Sequence, residues 1–165
     1  MWRIILSVIA VLGITYAIQL YRSPRGPDAA RLVPVVGAHE VLDLIKQGKH
    51  VVFVDAREDQ EWQEEHIPGA INIPLRDVGK LDPKTLGNPD VVIAYCLKDF
   101  RGFEVAKALR NAGVKQASNL TEMGINGWKK TGLPTVVQNK RSEAQAGVQL
   151  IACAHGLTSC EGTKP

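Results

Sequence analysis

Residues 91–109 read VVIAYCLKDFRGFEVAKAL, and this stretch decides the fold of the chain. The apolar run 91–94 follows the turn sequence GNPD, which predicts an interior strand of a parallel sheet. A charged loop then opens at Cys96, and apolar residues recur at helical spacing until a stop signal at Gly113. We therefore predict a strand, a short loop and a helix. The helical apolar positions are Phe103, Val105, Ala106 and Leu109.

Cys96 stands where the predicted strand ends and the helix is about to begin. The first N–H groups of a helix lack intrahelical acceptors and favour an anion, and thiolate is the anion that cysteine supplies. Cys96 is therefore a candidate nucleophile, with an inert buried thiol as the alternative.

Strand and helix patterns alternate along the rest of the chain. This alternation predicts three α/β/α layers around a five-stranded parallel sheet. Strands are expected at 32–36, 51–55, 70–73, 91–94 and 117–120, and helices at 39–47, 58–65, after the Cys96 loop and at 124–130.

Residues 4–20 contain no charged side chain across 17 positions, enough to cross the apolar layer of a bilayer as a helix. We predict one transmembrane helix at 4–20, a linker at 21–31 and a single-pass membrane protein; a cleaved signal peptide is the alternative. Counting flanking arginines favours a cytoplasmic domain, whereas the very short N-terminal tail and paired tail cysteines suit a periplasmic one. The sequence leaves open on which side of the membrane the domain lies.

Composition excludes several classes of protein. The 165 residues carry a net charge of +3 without a basic stripe, so no nucleic-acid partner is expected. Three cysteines form neither a disulfide scaffold nor a zinc framework, so neither a metal nor another cofactor is expected.

Three ordered motifs resemble the rhodanese (thiosulfate sulfurtransferase) family in its single-domain form. They are VFVDAREDQEWQEEHIPGAINIPL at 52–75, YCLKDFRG at 95–102 and GINGWKKTGLP at 124–134. The similarity spans about residues 33–136, and we set the domain at 32–137. The resemblance implies a sulfurtransferase of the thiosulfate:cyanide type, in which Cys96 holds sulfur as a persulfide. Its small partners would be a thiosulfate or persulfide donor and a thiol or cyanide acceptor.

The resemblance also assigns roles within the loop. Four residues separate Cys96 from Arg101, as in the sulfur-transferring members of the rhodanese family. Phosphatases that share this fold have one more residue in the loop. Backbone N–H groups of Leu97 to Gly102 would stabilise negative sulfur. Arg101 would offer a fork of donors to an oxyanion. Lys98 would either bring a mobile positive charge to the mouth of the loop or be an ordinary solvated lysine. The loop residues are Leu97, Lys98, Asp99, Phe100, Arg101 and Gly102.

Asp55 and Arg57 match the family's D-x-R motif, and we expect them to support the loop rather than take part in chemistry. His66, in the H-I-P-G turn, is either a structural hydrogen-bonding residue or a general base, and we favour the structural role.

The loop departs from the family pattern at three points. Asp99 stands where many active members have glycine, Gly102 where they have serine or alanine, and Met123 replaces the first glycine of a pair. The Asp99 carboxylate would disfavour anions, and Phe100 makes the mouth more apolar. A protein or glutathione persulfide is therefore an alternative to thiosulfate as the donor.

Residues 138–165 are expected to form a tail with at most one weak helix. Its Cys153 and Cys160 would form a disulfide, relay sulfur from Cys96 or have no function. A metal site made of these two cysteines and His155 would have too few ligands.

Two alternatives to the sulfurtransferase remain. One is a catalytically silent rhodanese-like module recruited to the membrane to bind a partner. The other is a redox protein that pairs Cys96 with a tail cysteine.

Overall fold

The computed structural model describes residues 33–157 and residue 160. Their strands are β1 (Val35–Val36), β2 (Val51–Asp55), β3 (Glu65–His66), β4 (Ile71–Asn72), β5 (Val91–Tyr95), β6 (Ala117–Leu120) and β7 (Val136–Val137). Their α-helices are α1 (Ala38–Lys46), α2 (Asp59–Glu64), α3 (Phe100–Asn111), α4 (Gly124–Lys130) and α5 (Glu143–Ala154). Short 3₁₀ helices at Val78–Lys80 and Pro83–Leu86 connect β4 to β5.

A five-stranded parallel sheet forms the centre of the fold, with strand order β1-β6-β5-β2-β4. The predicted α/β fold with five parallel strands is thereby confirmed. Parallel pairing sets Asp55 of β2 beside Tyr95 of β5, so the two strands end at the same edge of the sheet. Residues that follow these strand ends, Cys96 among them, therefore meet at that edge.

Side chains of β5 alternate between two apolar clusters, one on each face of the sheet. Val92 and Ala94 pack with α3 residues on one face, whereas Ile93 and Tyr95 pack with α1, α4 and α5 on the other. A strand buried on both faces must be apolar throughout, which explains the continuous run 91–94.

Two very short strands, β3 and β7, form an antiparallel pair, and neither strand was predicted from the sequence. Glu65 pairs with Val137 and His66 with Val136. Two-residue strands are too short to show an alternating pattern, so only the tertiary structure reveals them.

The C-terminal segment differs from its prediction as a tail. Helix α5 begins with a capping box between Ser142 and Gln145, and its inner face is buried against the cluster that contains α1. The cap at Ser142 and the small apolar residues spaced by three or four positions are the sequence signals for this helix. The buried residues of this helix are Ala146, Leu150, Cys153 and Ala154.

The predicted transmembrane helix at 4–20 and linker at 21–31 lie outside the described residues, as does Leu32 of the predicted first strand. Within residues 33–157 and 160, no helix has the length and apolar character needed to span a membrane.

Gly127 of α4 packs against the preceding loop, and a Cβ there would lie 1.7 Å from the Glu122 carbonyl oxygen. Because overpacking typically costs about 1–3 kcal/mol, Gly127→Ala should lower the free energy of unfolding by about 2 kcal/mol or more. Urea denaturation measures the effect. Gly147→Ala is the matched control, since a Cβ at this α5 position meets no atom within 4 Å. It should instead stabilise by about 0.5–1 kcal/mol. Equal effects of the two substitutions would contradict this packing.

Candidate active site

Cys96 directly follows β5 and is only 3% exposed. Its side chain joins the cluster on the α3 face of the sheet. The next four residues, 97–100, are exposed, so a solvent-facing loop follows the buried thiol. A reagent can therefore reach Cys96 only with a small terminal group.

The loop after Cys96 carries backbone donors without acceptors. Within residues 33–157 and 160, no acceptor is found for the N–H groups of residues 97–102. The first N–H of α3 that is bonded belongs to Phe103, which donates to the Asp99 carbonyl at 3.0 Å. Asp99 takes the N-cap position, but its side chain makes no capping hydrogen bond. The first N–H groups of α3 are therefore unpaired among the described residues, and N–H groups of this kind favour an anion.

The start of α4 supports the loop from the other side. The Ile125 N–H donates to the Cys96 carbonyl at 2.9 Å. A Cβ on Gly124 would lie 2.3 Å from the Cys96 carbonyl oxygen and 2.2 Å from that of Lys98. Only glycine permits this approach, which explains the first glycine of the 124–134 motif.

Arg101 forms a two-point ion pair with Glu61 of α2, a residue for which no role was predicted. Arg101 Nη1 and Nη2 donate to Glu61 Oε2 and Oε1 at 2.7 and 3.1 Å. The Glu58 N–H in turn donates to Glu61 Oε2 at 3.1 Å. The only sequence signal for Glu61 was its place in the E-W pair of the first motif.

Arg101 also interacts electrostatically with Cys96. Hydrogen bonding to Glu61 raises the pKa of Arg101 above its usual value, and the nearby Cys96 contributes a smaller increase. Hydrogen bonding to Arg101 lowers the pKa of Glu61, so the pair is ionised at neutral pH. Arg101 therefore interacts with Cys96, and the fork of donors expected to meet an oxyanion is directed at the Glu61 carboxylate.

Asp55 and Arg57 form a buried ion pair at the carboxyl end of β2. Arg57 Nη2 lies 2.7 Å from Asp55 Oδ2, and Arg57 Nε lies 3.0 Å from Oδ1. Burial alone would lower the pKa of Arg57, but the hydrogen bonds and charge of Asp55 raise it. Arg57 also donates to the Glu65 carbonyl and lies 6.0 Å above the Tyr95 ring centroid. These contacts favour the supporting role predicted for both residues.

His66 joins three elements of the domain. Its Nδ1 lies 2.7 Å from the Trp62 carbonyl oxygen, and its Nε2 lies 3.0 Å from Glu143 Oε2 of α5. The ring also stacks on Trp62, with centroids 4.5 Å apart. Both ring nitrogens thus have partners in the scaffold, which favours the structural role over that of a general base.

The tail cysteines lie on the other face of the sheet from Cys96. Cys153 is buried in the α1 cluster, and Cys160 packs against the same cluster. Cys96 and Cys160 are free thiols in the described part of the chain. A relay from Cys96 to Cys153 would require α5 to leave the sheet, because the sheet separates the two clusters. Among the described residues, no group of three or more metal-ligating side chains could hold an ion.

A profile of the rhodanese-like domain family matches residues 37–131, more than half of the chain. The chain belongs to the rhodanese-like domain family. The matched range contains β2, the Cys96 loop, α3 and the start of α4, which are the elements that build the candidate site.

Relatives of this rhodanese-like chain include sulfurtransferases. A thiosulfate:glutathione sulfurtransferase of Saccharomyces cerevisiae is 37% identical over 100 residues, which cover 52% of this chain and 71% of that protein. An uncharacterised protein of Synechocystis sp. is 35% identical over 124 residues, covering 73% and 67% of the two chains. The solved structure of a Pseudomonas aeruginosa thiosulfate sulfurtransferase is 27% identical with a TM-score of 0.54, covering 74% of this chain and 25% of that one.

Gly102, one of the departures from the rhodanese pattern, has a steric cause in this chain. A Cβ at this position would lie 2.6 Å from Asn119 Oδ1 and 2.9 Å from the Tyr95 Cα. Asn119 is 3% exposed, and its Oδ1 has no hydrogen-bond partner among the described residues. A serine or alanine at position 102 would therefore require both a different neighbour on β6 and a shift of α3 away from the Tyr95 backbone.

Met123, another departure, adopts a left-handed conformation with φ of 75°. A left-handed non-glycine residue is disfavoured by about 1–2 kcal/mol, so Met123→Gly should raise the free energy of unfolding by up to about 1 kcal/mol. Thermal and urea denaturation measure the difference. Met123→Ala removes the same side chain but keeps a Cβ, and it should give no such gain. A gain shared by both variants would show that the side chain, not the backbone, is responsible.

Proposed function

We propose that this chain is a sulfurtransferase that carries a sulfane sulfur as a persulfide on Cys96. The observation that supports it is the placement of Cys96 before six backbone N–H groups that lack acceptors among the described residues. Such donors stabilise negative charge on sulfur at the start of α3. Membership of the rhodanese-like family supports the same chemistry.

The reaction has two steps. The Cys96 thiolate attacks the outer sulfur of the donor, and the S–S bond of the donor breaks. The electron pair of that bond leaves with sulfite if the donor is thiosulfate, or with a thiolate if the donor is a persulfide. A new S–S bond then joins that sulfur to Cys96. In the second step a thiolate or cyanide attacks the outer sulfur, and the Cys96 thiolate leaves as it was. The loop N–H groups hold the terminal sulfur between the two steps.

A catalytically silent binding module is the competing proposal, and two features of the loop favour it. Asp99 puts a carboxylate within the anion-binding loop, and the phenyl ring of Phe100 is 72% exposed. The experiment that separates the two proposals is direct detection of sulfur on Cys96.

Incubation of the full chain with thiosulfate or glutathione persulfide should add the mass of one sulfur atom, because the thiolate takes the outer sulfur of either donor. Intact-mass spectrometry detects the adduct, which cyanide or a thiol should remove. Cys96→Ser should take up none, whereas Cys153→Ser and Cys160→Ser should behave as the parent chain. A folded protein with a reactive thiol that takes no sulfur from any donor would favour the binding module.

We also propose that residues 4–20 anchor this domain to a membrane. Two arginines in the middle of the segment, Val11→Arg with Leu12→Arg, should release the protein from carbonate-washed membranes, because each costs about 2.5–3.5 kcal/mol at a helix centre. Immunoblots of the fractions measure the release. Recovery of the parent chain as a soluble protein shortened at its N-terminus would instead indicate a cleaved signal peptide.

A further inference from the structure

A groove borders helix α5 on the face of the sheet opposite to Cys96, and we call it the α5 groove. Its volume is about 660 Å³, which lies within the range of pockets that hold small organic ligands. Phe53 and Leu150 of its lining belong to the α1 cluster, whereas Cys96 belongs to the cluster on the other face. The larger apolar residues of its lining are Ile45, Val51, Phe53, Pro68, Leu150 and Ile151.

Helix α5 leaves this space open because it presents a glycine there. A Cβ on Gly147 would meet no atom within 4 Å, although Gly147 belongs to the lining of the groove. Ile151 follows about one turn later, and it is 56% exposed despite its apolar side chain. A ligand in the α5 groove would cover this side chain, and removal of apolar surface from water favours binding.

The groove is elongated along α5. The residues of this helix that line it run from Glu143 to Ile151, which at the helical rise is roughly 12 Å. An unbranched alkyl chain fits a long apolar groove better than a compact ligand does, because it contacts the lining over its whole length.

Glu143, the acidic residue of the lining, already has partners within the chain. One carboxylate oxygen accepts the Gly69 N–H, and the other, Oε2, lies 3.0 Å from His66 Nε2. With both oxygens engaged, the Glu143 carboxylate does not require a cation from a ligand.

Lys49 is the charged group of the lining that remains available. Its Nζ lies 3.9 Å from Asp90 Oδ1, a long contact between two side chains that are each about half exposed, and such pairs are weak. Asp90 is bound more closely by the His50 N–H, which donates to Oδ2 at 2.8 Å. The His50 ring has its own partner, since Nδ1 lies 3.4 Å from the Asn88 carbonyl oxygen. An anionic group in the α5 groove would therefore find Lys49.

On these observations we infer that the α5 groove binds an alkyl carboxylate. The alkyl chain lies in the space that Gly147 leaves open and covers Ile151, and the carboxylate pairs with Lys49. The site is separate from the proposed sulfur transfer, because none of its lining residues belongs to the Cys96 loop.

The test uses the full chain in lipid nanodiscs, so that no detergent competes for the groove, and a decanoate with a photoreactive diazirine on its chain. After irradiation, peptide mapping by mass spectrometry locates the label. Residues 45–53 and 143–151 should carry about 5-fold or more label than α3, which lies on the other face of the sheet. This ratio does not depend on how much probe dissolves in the lipid. Unlabelled decanoate should compete with the groove label.

Variants of α5 then locate the alkyl chain. Gly147→Leu should lower the labelling ratio about 5-fold or more, because the new side chain occupies the groove. Val148→Leu is the matched control, since it enlarges an apolar residue that does not line the groove, and it should leave the ratio unchanged. Ile151→Ser guards against poor folding of Gly147→Leu, because the replaced side chain is already 56% exposed. It should lower the ratio about 3-fold.

A cationic probe examines the head group. The same diazirine chain with a trimethylammonium in place of the carboxylate should give a labelling ratio about 3-fold lower, as expected for an ion pair at a half-exposed lysine. Lys49→Met should abolish this difference between the two probes. Lys46→Met is the matched control, because Lys46 is an exposed lysine of α1 outside the groove, and it should preserve the difference.

Three results would overturn the inference. Labelling of the groove that does not exceed that of α3, or that is unchanged in both Gly147→Leu and Ile151→Ser, would remove the site. Equal labelling by the carboxylate and the trimethylammonium probe would remove the anionic head group and the role of Lys49. Competition by phosphatidylcholine vesicles but not by decanoate would assign the groove to a bilayer lipid instead of a free carboxylate.

Discussion

The buried ion pair between Asp55 and Arg57 is the interaction on which the carboxyl edge of the sheet depends. A buried charge is tolerated only with a partner, and Asp55, fully buried, has Arg57 in a two-point contact. Arg57 extends this constraint to the Glu65 carbonyl and the face of Tyr95. Because Tyr95 immediately precedes Cys96, the pair supports the strand end from which the Cys96 loop leaves.

The N-termini of α4 and α3 both lie beside the Cys96 loop, and their backbone N–H groups have different hydrogen-bond partners. The start of α4 uses the Ile125 N–H to hold the Cys96 carbonyl, which fixes the loop. The start of α3 leaves its N–H groups without acceptors among the described residues, which preserves them for a ligand. The two helix N-termini thus differ in whether their first N–H groups are hydrogen-bonded within the described residues.

Much of this site was predictable from the chain, because the relevant patterns are local. The run 91–94, the helical spacing after Cys96 and the D-x-R motif predicted β5, α3 and the edge at which Asp55 lies. Glu61 was missed because the chain separates it from Arg101 by 40 positions, and only packing of α2 against the loop brings them together. Helix α5 was expected only as a weak helix in a tail, because its buried residues are mostly small.

The sequence by itself determined the parallel α/β sheet, the position of the thiol at a strand end and the family of the domain, since periodicity and motif spacing are written along the chain. The direction of the Arg101 guanidinium and the separation of Cys153 from Cys96 follow only from the tertiary structure. These properties depend on which side chains meet across the sheet and between helices. Contacts between residues far apart in sequence leave no local pattern, because each partner is compatible with many others until the chain has folded.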